Sequence, residues 1–145
     1  MTSLRKFIEA RGFFRIPLKK LTTGHYQLHV EINGISGRFI LDTGASTSCI
    51  GIAFDSYFHL NKEESIIKAA GAGAIDMETM FSSGNHFKIG NWEKRKMDFI
   101  LFDLSHVNQA LLQVNEDFVH GIIGADFLKE HRAIIDYGRN CFYII

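Results

Sequence analysis

The chain has 145 residues, 46 % hydrophobic and 22 % charged, which fits one domain with a buried core and leaves no room for a second. That balance excludes a disordered tail and a collagen-like fibre. Lysine plus arginine number 16 and aspartate plus glutamate 16, so no net field draws the chain onto nucleic acid or anionic lipid, and neither is expected as a partner.

The first residues, Met1 to Ala10, break their apolar positions with Arg5, Lys6 and Glu9, unlike a secretory signal. No later run reaches transmembrane length, and the only cysteines, Cys49 and Cys141, form no Cys-x-x-Cys pair. A cytoplasmic protein with two buried thiols and no membrane partner is expected. Thr2 or Ser3 caps a short helix with Leu4, Phe7 and Ile8 on one face, stopped by Gly12. Phe14 to Leu18 is extended, and Thr22 to Gly24 is a turn. His25 to Ile32 alternates with period 2 and runs into Asn33-Gly34, the dipeptide suited to a tight hairpin. The returning strand ends in Phe39-Ile40-Leu41, apolar on both faces and so interior, and delivers Asp42.

Cys49 to Ile52 is again apolar, Ala53 to His59 reads as a helical turn, and Ser65 to Ala70 extends toward the small-residue tip Gly71-Ala72-Gly73-Ala74. His86 to Ile89 and Lys96 to Phe102 flank a Gly90-Asn91 turn, with Glu93 to Lys96 as a solvated turn and strand end. Ser105 caps a helix carrying Val107, Ala110, Leu111 and Val114. Val119 to Ile123 is a buried strand, Ala125 to His131 a helix, and Ala133 to Tyr137 and Cys141 to Ile145 strands around a Gly138-Arg139 turn. The class is mainly β with two or three short helices.

Chemistry concentrates in Phe39-Ile40-Leu41-Asp42-Thr43-Gly44-Ala45-Ser46, where an apolar strand carries a carboxylate into a turn of small, hydrogen-bonding residues. Gly44 lets a backbone amide approach the Asp42 oxygens, while the Thr43 and Ser46 hydroxyls are placed to brace the loop. Alone, Asp-Thr-Gly fits an Asx-type turn better than an active loop. A second element downstream, Gly121-Ile122-Ile123-Gly124-Ala125-Asp126, joins an apolar strand through glycine to a helix. Asp126 in that helix start reads as a structural carboxylate at the positive end of the dipole. The Gly71 to Gly73 tip lacks the Lys-Ser/Thr and the following helix of a phosphate cradle. The seven histidines show no ligand spacing, so neither a metal nor a cofactor is expected.

In combination, Asp42-Thr43-Gly44-Ala45-Ser46, the tip, Ile122-Ile123-Gly124 and Ile135-Asp136-Tyr137 resemble the retropepsin-like aspartic proteases, single-domain relatives of one pepsin lobe. The resemblance implies a closed, mostly antiparallel β barrel over residues 14–145, preceded by a helical extension at 1–13. It assigns Asp42, Thr43 and Gly44 to catalysis, Gly71, Ala72 and Gly73 to a substrate-covering flap, and Ser46 and Gly124 to support of the active loop. With one Asp-Thr-Gly per chain, it further implies a homodimer that pairs two Asp42 carboxylates to cleave extended peptides or proteins. Deleting residues 1–12 discriminates two modes of pairing: a lost dimer favours assembly through the N-terminal helix, and a retained dimer favours pairing through the terminal strands. The rival is a catalytically silent peptide-binding or dimerisation module of the same fold.

Overall fold

The computed structural model describes residues 2–64 and 79–145. A helix, α1 (Leu4–Glu9), opens the chain, and the Ser3 hydroxyl caps it by accepting from the Lys6 amide at 3.1 Å. Its expected apolar face is only partly used. Ile8 packs on Cys141 and Tyr143, while Leu4 and Phe7 stay about half exposed, because a helix of six residues lays one side chain, not three, against the strand beneath it.

Strands β1 (Phe14–Pro17) and β2 (Lys19–Lys20) precede the hairpin of β3 (Tyr26–Ile32) and β4 (Ile35–Leu41). Asn33 and Gly34 both take positive φ, 52° and 82°, the geometry of the tight turn their sequence predicts. Next come β5 (Cys49–Gly51), a single 3₁₀ turn at Ile52–Phe54 in place of the longer helical turn, and β6 (Glu63–Glu64). The expected strand at 65–70 and the tip at Gly71, Ala72 and Gly73 lie outside the described residues.

The following hairpin, β7 (Met80–Ile89) and β8 (Trp92–Phe102), is longer than the sequence suggests, and Glu93 to Lys96 belong to β8 rather than to a turn. Its alternation is broken where the β7–β8 register shifts around Asn85, which lets a polar run occupy a strand. Helix α2 (Ser105–Gln113) is held at its start by Asp103, whose carboxylate accepts from the Ser105 amide and hydroxyl at 2.8 and 3.0 Å; the serine expected to cap the helix is itself held. Then follow β9 (Gly121–Ile123), α3 (Ala125–Glu130), β10 (Ile134–Asp136), a 3₁₀ turn at Tyr137–Arg139 and β11 (Cys141–Ile144).

Strands β3, β4, β9, β5, β8 and β7 are hydrogen-bonded in that order, and pairs Glu31↔Lys88 and Ile32↔Phe87 return β7 to β3 and close the barrel. Most pairings are antiparallel; β4–β9 and β5–β8 are parallel. The core is aromatic: Phe87 meets Phe39, Phe99, Trp92 and Phe127 with ring centroids 5.5 to 6.4 Å apart. A separate three-stranded sheet, ordered β1-β11-β10, lies beside the barrel and places β11 in the middle.

Candidate active site

Strand β4 runs between β3 and β9, and at its end the Asp42 amide still donates to the Ile123 carbonyl at 2.9 Å. The chain then turns sharply: the Gly44 amide donates to Asp42 Oδ1 at 2.8 Å, and the Ala45 amide to the Asp42 carbonyl at 3.2 Å. A Cβ on Gly44 would sit 3.2 Å from that same carboxylate oxygen, so a side chain here would crowd it. Asp42 is half-buried, whereas Thr43 and Gly44 are exposed. One carboxylate is thereby held by a backbone amide with a face left open.

The loop's support comes from residues the sequence does not advertise. Ser48, fully buried, donates its hydroxyl to Asp126 Oδ1 at 2.8 Å and accepts from the Gly124 amide at 2.9 Å, while its own amide also donates to Asp126 Oδ1 at 2.9 Å. Asp126 therefore fastens the Asp42 loop as well as lying in the first turn of α3. The Ala125 and Asp126 amides add bonds to the Ala45 and Ser46 carbonyls, 2.7 and 3.3 Å. Gly124 has no room for a side chain: a Cβ would lie 2.6 Å from the Ala45 carbonyl oxygen. Ser46 meets the helix through its backbone, and neither its hydroxyl nor that of Thr43 bonds a described residue.

Beside Asp42 lies a cavity of about 250 Å³ lined by Tyr26, Leu41, Asp42, Thr43, Ile135 and Tyr137 among others. Tyr26 and Tyr137 meet edge to face at 5.2 Å. Under the loop, burial pushes the Cys49 thiol up to about 12, with the nearby charges of Asp126 and Asp42 adding to the effect, so it stays protonated and inert. Cys141 is likewise buried and free. Among the described residues no group of His, Cys, Asp or Glu side chains is placed to hold a metal ion, and no helix is long and apolar enough to cross a membrane.

A barrel in which β4 and β9 pair in parallel, with a braced Asp-Thr-Gly loop at the end of β4, is the retropepsin-like form of the aspartic protease fold. The model of the aspartyl protease family matches residues 28–127, and the chain belongs to that family. Solved structures agree on the fold. A retropepsin-like aspartic protease from Rickettsia conorii superimposes with a TM-score of 0.59 at 14 % identity, covering 91 % of each chain. EIAV protease complexed with the inhibitor HBY-793 gives 0.54 at 20 % identity, covering 77 % of this chain and 92 % of the other. The retroviral protease-like domain of Ddi1 from Leishmania major gives 0.55 at 16 % identity, over 81 % and 86 %. A search of curated proteins returns no match.

Proposed function

We propose that the chain is an aspartic endopeptidase in which two Asp42 carboxylates, one from each subunit of a homodimer, activate a water molecule. The observation that carries this reading is Asp42 itself: one carboxylate per chain, held by the Gly44 amide, half-open to solvent at the edge of a cavity. Two carboxylates brought face to face cannot both carry charge readily, so the pair holds one proton. The ionised member takes a proton from water as it attacks the scissile carbonyl; the protonated member donates to the developing oxyanion. No covalent acyl-enzyme forms.

In this reading Thr43 lies at the two-fold axis, Gly44 orients the carboxylate, Gly124 and Ser46 support the loop, and Gly71, Ala72 and Gly73 cover the bound peptide as an added strand would. Incubation with a diverse peptide mixture, using Asp42→Ala as the control, tests it: cleavage should appear with the wild type and vanish with the variant. A peptide isostere bearing the tetrahedral hydroxyl should bind far more tightly than its deoxy analogue. Equal affinity in calorimetry would leave the dyad without support and favour the catalytically silent alternative.

A further inference from the structure

Strand β3 is paired along one edge by β4 over its whole length, but its other edge is divided. Strand β2 takes Tyr26 and Gln27, and β7 takes Glu31 and Ile32, which leaves Leu28, His29 and Val30 paired on the β4 side only. The segment before β2 cannot extend the ladder into this gap. Pro17 has no N–H, and the Leu18 amide donates to the Asn140 carbonyl at 2.8 Å.

A hollow of about 340 Å³ opens at the gap. Ile16, Leu28 and Ile89, all buried core residues, give it an apolar floor. Its rim is cationic: Arg15, Lys19 and His29 line it, the last two exposed, and no Asp or Glu among the described residues does. Gln27 also lines the hollow; it is 7 % exposed, and its side-chain amide bonds no described residue. Other buried polar side chains, Ser48, Ser82, Asn85 and His120, each have a partner. Because no fully enclosed side-chain nitrogen or oxygen among the described residues lacks one, the Gln27 amide reaches open space. Lys19 is the cross-strand partner of Gln27, and His29 follows two residues on, so the three side chains share a face of the sheet.

An apolar floor, an unpartnered amide and a positive rim without a carboxylate complement one chemistry, an alkyl chain ending in an acid. We propose that this hollow binds a medium-chain monocarboxylate. The chain lies on Ile16, Leu28 and Ile89, the carboxylate accepts from the Gln27 amide and the Lys19 ammonium, and Arg15 and His29 add positive field. The volume is near the lower end of the range for ligand pockets, about 300–1,000 Å³, which suits a chain of about eight carbons. Leu18 is the one residue that lines both this hollow and the cavity beside Asp42, so the two are separate and the assignment stands independently of the peptidase reading.

Isothermal titration of the full chain with octanoate, kept below its micelle concentration, tests this. Octanoate should bind, whereas octan-1-ol and octylamine should bind about tenfold more weakly or not at all, since neither brings a negative charge to the rim. Lys19→Glu, at an exposed position, should weaken octanoate by about tenfold or more with the melt unchanged. Gln27→Met separates a binding role from a structural one. Removing an unpartnered buried amide should raise Tm, yet it should weaken octanoate by about fivefold or more. Asp42→Ala should bind octanoate as wild type does. Should Gln27→Met fail to fold, the Lys19→Glu comparison decides alone. No measurable affinity at millimolar octanoate, equal affinity in wild type and Lys19→Glu, or octan-1-ol binding as tightly as octanoate would overturn the proposal. A gain in affinity with Asp42→Ala would put the ligand in the Asp42 cavity and overturn it equally.

Discussion

Replacing Ser48 by alanine removes one oxygen, yet the structure makes it expensive. That hydroxyl is the acceptor for the Gly124 amide at 2.9 Å and a donor to the Asp126 carboxylate at 2.8 Å, at a residue with no exposure to water. Leaving a buried amide unpaired costs about 1–3 kcal/mol, and a hydrogen bond to a charged group contributes about 1.5–3 kcal/mol. Together Ser48→Ala should lose about 3 kcal/mol, a large share of the 5–15 kcal/mol typical of a domain. At this chain length that is a fall in Tm of about 6–12 °C. Trp92, the single tryptophan and a buried one, reports the transition by fluorescence in a urea titration. Because the Ser48 amide also bonds Asp126, a double-mutant cycle with Asp126→Ala should show coupling of about 1–2 kcal/mol. A Ser48→Ala protein within about 0.5 kcal/mol of wild type would show that the brace contributes nothing and that the loop is held by backbone bonds alone.

His120 accepts the Arg38 amide on Nδ1 at 3.0 Å amid Phe54, Tyr57, Phe58 and Phe118, and burial followed by the Arg38 charge pushes it down to about 4. Since the unfolded chain then binds more protons, its contribution is complete above pH 6.5 and is lost as pH falls through 4, about 2 kcal/mol with partial solvation allowed for. Urea midpoints of wild type should therefore decline over that window more steeply than those of His120→Asn, and parallel curves would refute the assignment. Gly124→Ala should prevent stable folding or cost about 3 kcal/mol or more, since its Cβ would press on the Ala45 carbonyl; a normal thermal melt would contradict the packing. Mixing wild type with equal Asp42→Asn should leave roughly one quarter of exchanged dimers with two carboxylates, so activity per wild-type chain should fall well below the unmixed control. Undiminished activity after exchange has been verified by mass spectrometry would mean that each chain acts alone.

Local signals with a single physical meaning were readable in the residues. Asn33-Gly34 announces a turn with two positive φ angles, and Phe39-Ile40-Leu41, apolar on both faces, has to be covered on both faces, as the burial of Phe39 and Ile40 shows. The glycine at 124 stands where a side chain would strike backbone, so its place in the motif reflects space rather than flexibility. Polar bracing was not readable, because Ser48 and Asp126 look like ordinary loop and helix-start residues until folding sets them 2.8 Å apart. Strand β8 hid its first half for a related reason: Lys94 and its neighbours face water or an ion pair, with Lys94 reaching Glu130 at 2.9 Å, so they carry no alternation. The role of β11 as a filled central strand depends on which partners it finds, and no local pattern encodes that.

The seating of β9 sets the order in which this molecule can become itself. β4 and β5 are not hydrogen-bonded to each other; Gly121–Ile123 slots between them, parallel to one and antiparallel to the other. A chain emerging from the ribosome must hold that seam open until its last third is made, with two strand edges exposed during the wait. The Asp42 amide, the Gly124 bond to Ser48 and the clasp of Asp126 all close with that same insertion. The carboxylate therefore acquires its fixed aim late in folding, and an incompletely synthesised chain carries the motif without the geometry.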